Sequence, residues 1–237
     1  MIGLVLAAGR GSRLGTYTDD RPKSLLPLND NGDTLLDYNL RILQDIGVEK
    51  TLIVTGYMSA AIETTAEKYS NTQIIYNPFW NHCNVLGSMY MAMDKLNDDF
   101  LFLHADTLME VDAWKKLVDQ AEGDMILPYE AKVCGEEEMK VIIEDGRVTK
   151  ISKQFDGSLA DGEFVGIALF KKSTVPYFKN TAESLFKLGD LNHYMEAVLQ
   201  KSIDENAHDI RPLDISQFDF VEVDFEDDYQ RAKQKFG

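Results

Sequence analysis

Cysteine is scarce in this chain. Cys83 and Cys134 are the only two among 237 residues, and they form no C-x-x-C or other metal-binding spacing. The pair supports neither a disulfide framework nor a structural zinc site, and it fits a cytoplasmic protein. Long apolar runs are missing too. None approaches the length of a membrane span, and the first apolar residues are too few for a signal peptide and are needed as a core strand. Basic residues are in deficit, with 24 Lys and Arg against 40 Asp and Glu and a formal net charge of −16. Such a surface repels nucleic-acid backbones and anionic membranes, which argues against either as a partner. Internal repeats, low-complexity linkers and a second-domain boundary are absent, so residues 1–237 read as one domain. Also absent is any defensible Ser/His/Asp or Cys/His set. The four histidines are scattered, and His104 is expected to pack or to line a site beside Asp106.

What is present concentrates between Gly3 and Lys23. Leu4, Val5 and Leu6 form an apolar run that gives way to Ala7 and Ala8. Gly9, Gly11 and Gly15 follow, interleaved with Arg10, Arg13, Arg21 and Lys23. This pattern predicts a buried parallel strand feeding a glycine-rich turn whose backbone N–H groups approach an anion. The cations stand against the overall field of the chain and are suited to phosphate. The loop is not a Walker loop, because no Gly-x4-Gly-Lys-Ser/Thr occurs. Nor is it a strict dinucleotide fingerprint, because Leu14 occupies the third glycine position.

Farther along, the pattern predicts a helix capped by Asp33 or Thr34, with Leu36, Leu40 and Leu43 at helical spacing. A strand over Thr51–Thr55, a helix over Ser59–Tyr69 and a strand over Gln73–Tyr76 follow. A helix carrying Met89, Met93 and Leu96 precedes a strand over Phe100–His104. This alternation implies a parallel, doubly wound sheet. Beyond Asp124 the rhythm changes. A strand over Met125–Pro128 precedes a hairpin over Met139–Ile151 turning at Asp145-Gly146, and a strand over Phe164–Phe170 follows. Helices near Ser173–Phe186 and Leu191–Glu205 come next, and Val221–Val223 closes on an acidic turn and a last helix. Residues 124–215 read as insertions that build a lid on the first half. Asp106 stands at the carboxyl end of a buried strand, where open α/β sheets bind ligands. From the residues alone it is either a helix cap or a Mg²⁺ ligand.

The opening stretch resembles the signature of the sugar-nucleotidyltransferase-like family, L-x-A-A-G-x-G-x-R-L followed by a P-K pair. Leu6, Ala7, Ala8, Gly9, Gly11, Arg13 and Leu14 carry it, with Pro22 and Lys23. The resemblance implies a single-domain, Rossmann-like, doubly wound mixed sheet with a small β/α lid. Leu6, Ala7, Ala8, Gly9, Arg10, Gly11 and Ser12 would then hold the nucleotide, and Lys23, Arg13 and Asp106 would carry the chemistry. It also implies that Asp106 and Asp224, the latter within Val221-Glu222-Val223-Asp224, bind Mg²⁺. Glu226, Asp227 and Asp228 read as acids at a helix start.

The segment Asn77-Pro78-Phe79 through Asn84 to Ser88 resembles an element of the phosphocholine and phosphonate cytidylyltransferase branch, which implies that Asn84 and Ser88 serve the nucleotide. Val85 stands where that branch often has a second Asn. Phe79 and Trp80 are expected to pack, and Met89, Met91 and Met93 to fill core space. In the second half, Lys140, Lys153, Glu163 of Gly162-Glu163-Phe164-Val165-Gly166, and Tyr194 and Glu196 of Tyr194-Met195-Glu196 fall where this branch meets its acceptor. Met195 stands where a further aromatic would complete a box for a quaternary ammonium.

The expectation is therefore a Mg²⁺-dependent transfer of CMP from CTP to a small phosphorylated or phosphonylated acceptor, with homodimers common among similar enzymes. A sugar-1-phosphate nucleotidyltransferase ranks second, since few residues follow Asp224 for the β-helical extension that many of those carry. A molybdopterin-type transferase and a non-catalytic nucleotide-sugar sensor rank lower. A sensor would be expected to lack Lys23 or one of the two aspartates.

Overall fold

The structure is a computed structural model that describes residues 1–120 and 122–237. Strand and helix alternate through β1 (Ile2–Ala7), α1 (Leu35–Asp45), β2 (Lys50–Thr55), α2 (Ser59–Ala66), β3 (Thr72–Tyr76), α3 (Val85–Tyr90) and β4 (Phe100–His104). Next come β5 (Thr107–Met109), α4 (Val111–Val118), β6 (Met125–Glu130), β7 (Lys140–Glu144), β8 (Arg147–Ser152), β9 (Gly162–Phe164) and β10 (Ile167–Phe170). The chain continues through α5 (Val175–Phe186), α6 (Glu196–Asp204), β11 (Ile210–Asp214), β12 (Phe220–Glu222) and α7 (Glu226–Phe236).

One sheet runs β3-β2-β1-β4-β10-β6-β9-β7-β8, with β11 added alongside β6. The first four strands are parallel, and β10 enters antiparallel between β4 and β6. Every residue of β1 is buried. Period-two alternation sends Leu4 and Leu6 to a core shared with α3, α5 and α6, while Val5 and Ala7 face one shared with α1, α2 and α4. Helices on both faces explain why these strands read as continuous apolar runs. Thr34 caps α1 in a reciprocal box with Asp37, as the S/T-x-x-acid spacing dictates. Among the described residues, no helix is long and apolar enough to cross a membrane.

A third, smaller core decides the shape of the site. Leu14, Leu26 and Leu28 from the segment after β1 pack with Leu108 of β5, with Val221 and Val223 around β12, and with Tyr229 and Ala232 of α7. Strands β5 and β12 pair antiparallel outside the main sheet. The Tyr229 hydroxyl donates to the Pro27 carbonyl at 2.5 Å. Segments from opposite ends of the sequence are thereby clamped together over the carboxyl ends of β1 and β4.

Several elements depart from the sequence reading. The strand expected over Phe164–Phe170 is two strands, because Gly166 adopts a left-handed φ of 74° and lets the chain change partners from β6 and β7 to β4 and β6. A side chain there would also press on His104, whose Cδ2 lies 3.2 Å from the Cβ position. The helix expected from Leu191 starts only at Glu196. The residues before it instead accept hydrogen bonds at the Leu191 and His193 carbonyls from the N–H groups of Asn84 and Leu86, each 3.1 Å. The helix carrying Met89 stops at Tyr90, and Met93–Lys95 forms a separate 3-10 turn. Helix α4 and strands β5 and β11 lie outside the elements expected from sequence. Residues 124–215 contribute β6 to β11 to the same central sheet, so the region read as a lid is continuous with the first half.

Candidate active site

A cleft opens at the carboxyl ends of β1 and β4, whose register sets Leu6 beside His104. Leu6, Ala7, Ala8, Gly9 and Gly11 line the cleft together with Lys23, Asp106, Trp80, Asn84 and Ser88. Gly11 has a φ of 76°, and a Cβ there would stand 2.6 Å from Lys23 Cβ. Only glycine lets the loop close over the lysine stem. At Gly9, by contrast, a Cβ would meet nothing within 4 Å, so the backbone at that point faces open space.

Lys23 is the electrostatic centre. Its Nζ lies 2.6 Å from Asp106 Oδ2 and 2.8 Å from Asp224 Oδ1, and the Arg13 guanidinium meets Asp224 Oδ2 at 2.9 Å. Asp106 occupies the turn between β4 and β5 rather than a helix cap. That turn is pinned by Asn39, which donates to the Ala105 carbonyl at 3.2 Å. The Val223 N–H donates to the Asp106 carbonyl at 3.0 Å, which brings Asp224 alongside. Burial opposes the charge on Lys23, but the two carboxylates outweigh it and hold the ammonium above the ordinary lysine range. Burial likewise works against the Asp224 carboxylate, yet Lys23 and Arg13 keep its pKa below the ordinary value. Removing one partner of such a half-buried cluster leaves uncompensated charge, a loss on the order of 3–5 kcal/mol for fully buried pairs. His104 sits deep beside Asp106, and desolvation lowers its pKa, which favours the neutral imidazole.

Among the described residues there is no cluster of three or more His, Cys, Asp or Glu side chains suited to a metal ion. Two converging carboxylates nonetheless fit Mg²⁺, which takes one or two protein carboxylates and completes its shell with phosphate oxygens and water. Asp106 Oδ1 is buried and has no partner among the described residues, so it is a donor atom waiting for a cation or a proton donor. Glu222, across the β5–β12 pair from Thr107, is exposed, yet it is close enough to Asp106 and Asp224 for their charges to act on it. Desolvation, then repulsion from Asp106 and Asp224, pushes its pKa up to about 8.

The other expected residues fall into distinct settings. Arg10 lies outside the cleft lining, its guanidinium 5.6 Å from the centre of the Tyr57 ring, and Ser12 starts a 3-10 turn. Ser88 accepts from Asn77 Nδ2 at 3.1 Å, and Asn84 caps α3 while donating to Asn192. Trp80 lines the cleft, and Phe79, expected to pack, is 57% exposed.

In the second half of the chain, Lys153 Nζ stands 5.7 Å from the centre of the Tyr194 ring, and its charge opposes the upward shift of the Glu196 carboxyl. Burial raises that carboxyl to about 7, and its Oε2 has no partner among the described residues. Met195 is fully buried and builds core rather than a cage. Glu163 pairs at 2.6 Å with Lys132, a residue the sequence reading did not single out because no motif surrounds it. Burial raises the Glu163 carboxyl despite this partner.

Lys140 corrects the expectation of an acceptor contact. It is 1% exposed and donates to the carbonyls of Glu136, Glu138 and Lys153 at 3.3, 3.3 and 2.7 Å. An ammonium has three protons, and all three are spent on the backbone. Lys140 therefore ties two loops together.

With this geometry in place, the chain belongs to the MobA-like NTP transferase domain family, which matches residues 3–182. It is 26% identical over 247 residues to a CMP-5'-(3-aminopropyl)phosphonate synthase of Streptomyces rubellomurinus, covering 99% of this chain and 38% of that protein. It is 24% identical over 169 residues to a CTP:phosphoglutamine cytidylyltransferase of Campylobacter jejuni, covering 69% of this chain and 60% of that one. The match thus spans less than two thirds of either relative. In fold, the inositol-1-phosphate CTP transferase from T. maritima superposes with a TM-score of 0.80 at 23% identity, over 100% of this chain and 96% of the other.

Proposed function

We propose that this chain transfers CMP from CTP to a small acceptor bearing a phosphate or phosphonate, releasing pyrophosphate. The observation that carries this reading is the convergence of Lys23, Asp106 and Asp224 at a glycine-lined cleft. The relatives' named activities support cytidylyl transfer to phosphorus-bearing acceptors.

In the proposed reaction, an oxygen of the acceptor phosphate attacks the α-phosphorus. A new P–O bond forms in line with the α–β bridge, that bridge breaks, and pyrophosphate leaves with the electron pair. The phosphate nucleophile is largely dianionic at neutral pH because its second pKa is about 6. It has no proton to lose, which suits a site without a general base. Catalysis then reduces to positioning and neutralisation of charge. Lys23 and Arg13 are the cations suited to the triphosphate, with the loop from Ala7 to Ser12 supplying backbone donors. Mg²⁺, held by Asp106 and Asp224 together with phosphate oxygens, would supply Lewis-acid stabilisation of the α-phosphate. Trp80, Asn84 and Ser88 are the cleft residues suited to the nucleoside. Lys153, Tyr194, Glu196 and the Lys132–Glu163 pair form the surface suited to the acceptor.

The test is a pyrophosphate-release screen of four nucleoside triphosphates against phosphocholine, aminoethylphosphonate, glycerol phosphates and sugar-1-phosphates. Turnover with CTP and a phosphonate or phosphate ester is the expected result. Failure of CTP with every acceptor overturns the cytidylyl assignment, and turnover of a sugar-1-phosphate with another nucleotide would replace it.

A further inference from the structure

We propose that Lys23 gates the metal site, so that a divalent cation binds between Asp106 and Asp224 only together with a nucleoside triphosphate that draws the lysine away. The inference rests on the metal reading of the two aspartates given above and adds an order to the binding events.

The geometry sets up a competition. Of the four carboxylate oxygens of Asp106 and Asp224, three are engaged by cationic side chains. Lys23 Nζ takes one from each residue, and Arg13 takes the remaining oxygen of Asp224. Only Asp106 Oδ1 is left over, and it is buried. An ion ligated at about 2.0–2.1 Å by these same oxygens would need the space and the lone pairs that the ammonium uses. Lys23 therefore has to leave before a metal can bridge the pair.

Charge and ligand count lead to the same conclusion. Two carboxylates facing an ammonium and a guanidinium form a nearly neutral cluster, which has little attraction for a free dication. Two carboxylates alone also hold Mg²⁺ only weakly, and no third carboxylate, histidine or cysteine completes a cluster among the described residues. A triphosphate remedies both deficits. It brings oxygen ligands, and it offers Lys23 and Arg13 a stronger anionic partner. The route for the lysine is short, because its stem lies against Gly11 and both line the cleft with Gly9 and Asp106. Its ammonium need only swing from the carboxylates toward the loop. Linkage makes the effect mutual: metal and nucleotide must raise each other's affinity by one factor.

The experiment measures Mn²⁺ binding to the full chain by the loss of the free-ion electron paramagnetic resonance signal, with and without CTP and with no acceptor present. Wild type is expected to bind Mn²⁺ weakly alone and far more tightly with CTP. Lys23→Met is expected to bind Mn²⁺ without nucleotide roughly tenfold or more tightly than wild type, within the usual range of coupling factors. Adding Asp106→Asn to that variant should abolish the gain, which locates the ion. Arg13→Gln, at an exposed position, should give a smaller gain and serves if Lys23→Met fails to fold by near-ultraviolet circular dichroism. Equal Mn²⁺ affinity of wild type and these variants without nucleotide would overturn the gate. If no form holds Mn²⁺ even with CTP, the metal reading beneath it fails, and the gate with it.

Discussion

The glycine-loop end of the molecule and the far end, the region of Lys132, Lys140, Lys153 and Glu163, treat charge in opposite ways. At the loop end, segments distant in sequence converge: Lys23 pairs with Asp106 and Asp224 and Arg13 with Asp224, and among the described residues neither cation has a further ion-pair partner. At the far end, charged side chains are tied up locally: Lys132 with Glu163, Lys140 with backbone carbonyls, and Lys153 against Tyr194. The first arrangement suits a ligand part with fixed geometry and high charge, such as a triphosphate. The second is a set of small, separable contacts in which one change alters one interaction, which suits the acceptor surface proposed above.

The contrast can be broken most severely at Asp106. Asp106→Ala is expected to reduce pyrophosphate release from CTP and a cognate acceptor by roughly 10³-fold or more, with the near-ultraviolet spectrum retained. Unchanged turnover would remove Asp106 from the mechanism. Next in size is the clamp behind the loop end. Leu28 is fully buried in the third core, and Leu28→Ala should cost about 2–5 kcal/mol in urea unfolding. A loss well below 1 kcal/mol would mean that this cluster does not hold the ends together.

The far end should yield smaller and separable effects. Lys140→Met leaves three carbonyls without their donor and is expected to lower stability by roughly 1–3 kcal/mol, while the acceptor KM stays constant below the melting range. Lys153→Ala should do the reverse, raising acceptor KM roughly tenfold at unchanged Tm. If both variants moved the same parameter, the two lysines would not differ in role. Glu196 gives the mildest test. Its carboxyl titrates near 7 in the fold against an ordinary 4.5, so the folded chain binds more protons between those values, and stability falls as pH rises through that window. Glu196→Gln should therefore melt higher than wild type at pH 8 and alike at pH 4. A difference of the opposite sign would show the ionised carboxylate to be well solvated or paired.

How well each part could be read from sequence follows from how local its determinants are. The strands from Ile2 to His104 announce themselves because burial on both faces demands unbroken apolar runs, and Thr34 with Asp37 marks a helix start within four residues. That Asp106 and Asp224 act at one place was accessible only through family resemblance, which implied a metal between them and not the Lys23 ammonium found there, since the juxtaposition depends on β12 pairing with β5. Elements set by tertiary context escaped. The break at Gly166 looks like any glycine until the partner strands are known, and the residues before Glu196 have helical spacing but are held extended by the backbone of α3. Lys132 lies in no motif, and its importance comes only from the strand pairing that sets Glu163 beside it. Lys140 misled for the same reason. A lysine in a strand reads as exposed, and only the loops around it reveal a buried cross-tie.

The Lys23–Asp224 pair joins positions 201 residues apart. Closing so long a span costs chain entropy, which the third core and the β5–β12 pairing offset together with this pair. As the chain emerges during synthesis, the parallel sheet can assemble while the second carboxylate has yet to be made. The cluster around Lys23 is complete only when Phe220–Glu222 docks on Thr107–Met109 and α7 closes the third core. The charge balance around Lys23 thus depends on both ends of the chain: without Asp224, one of the two carboxylates on the ammonium is missing.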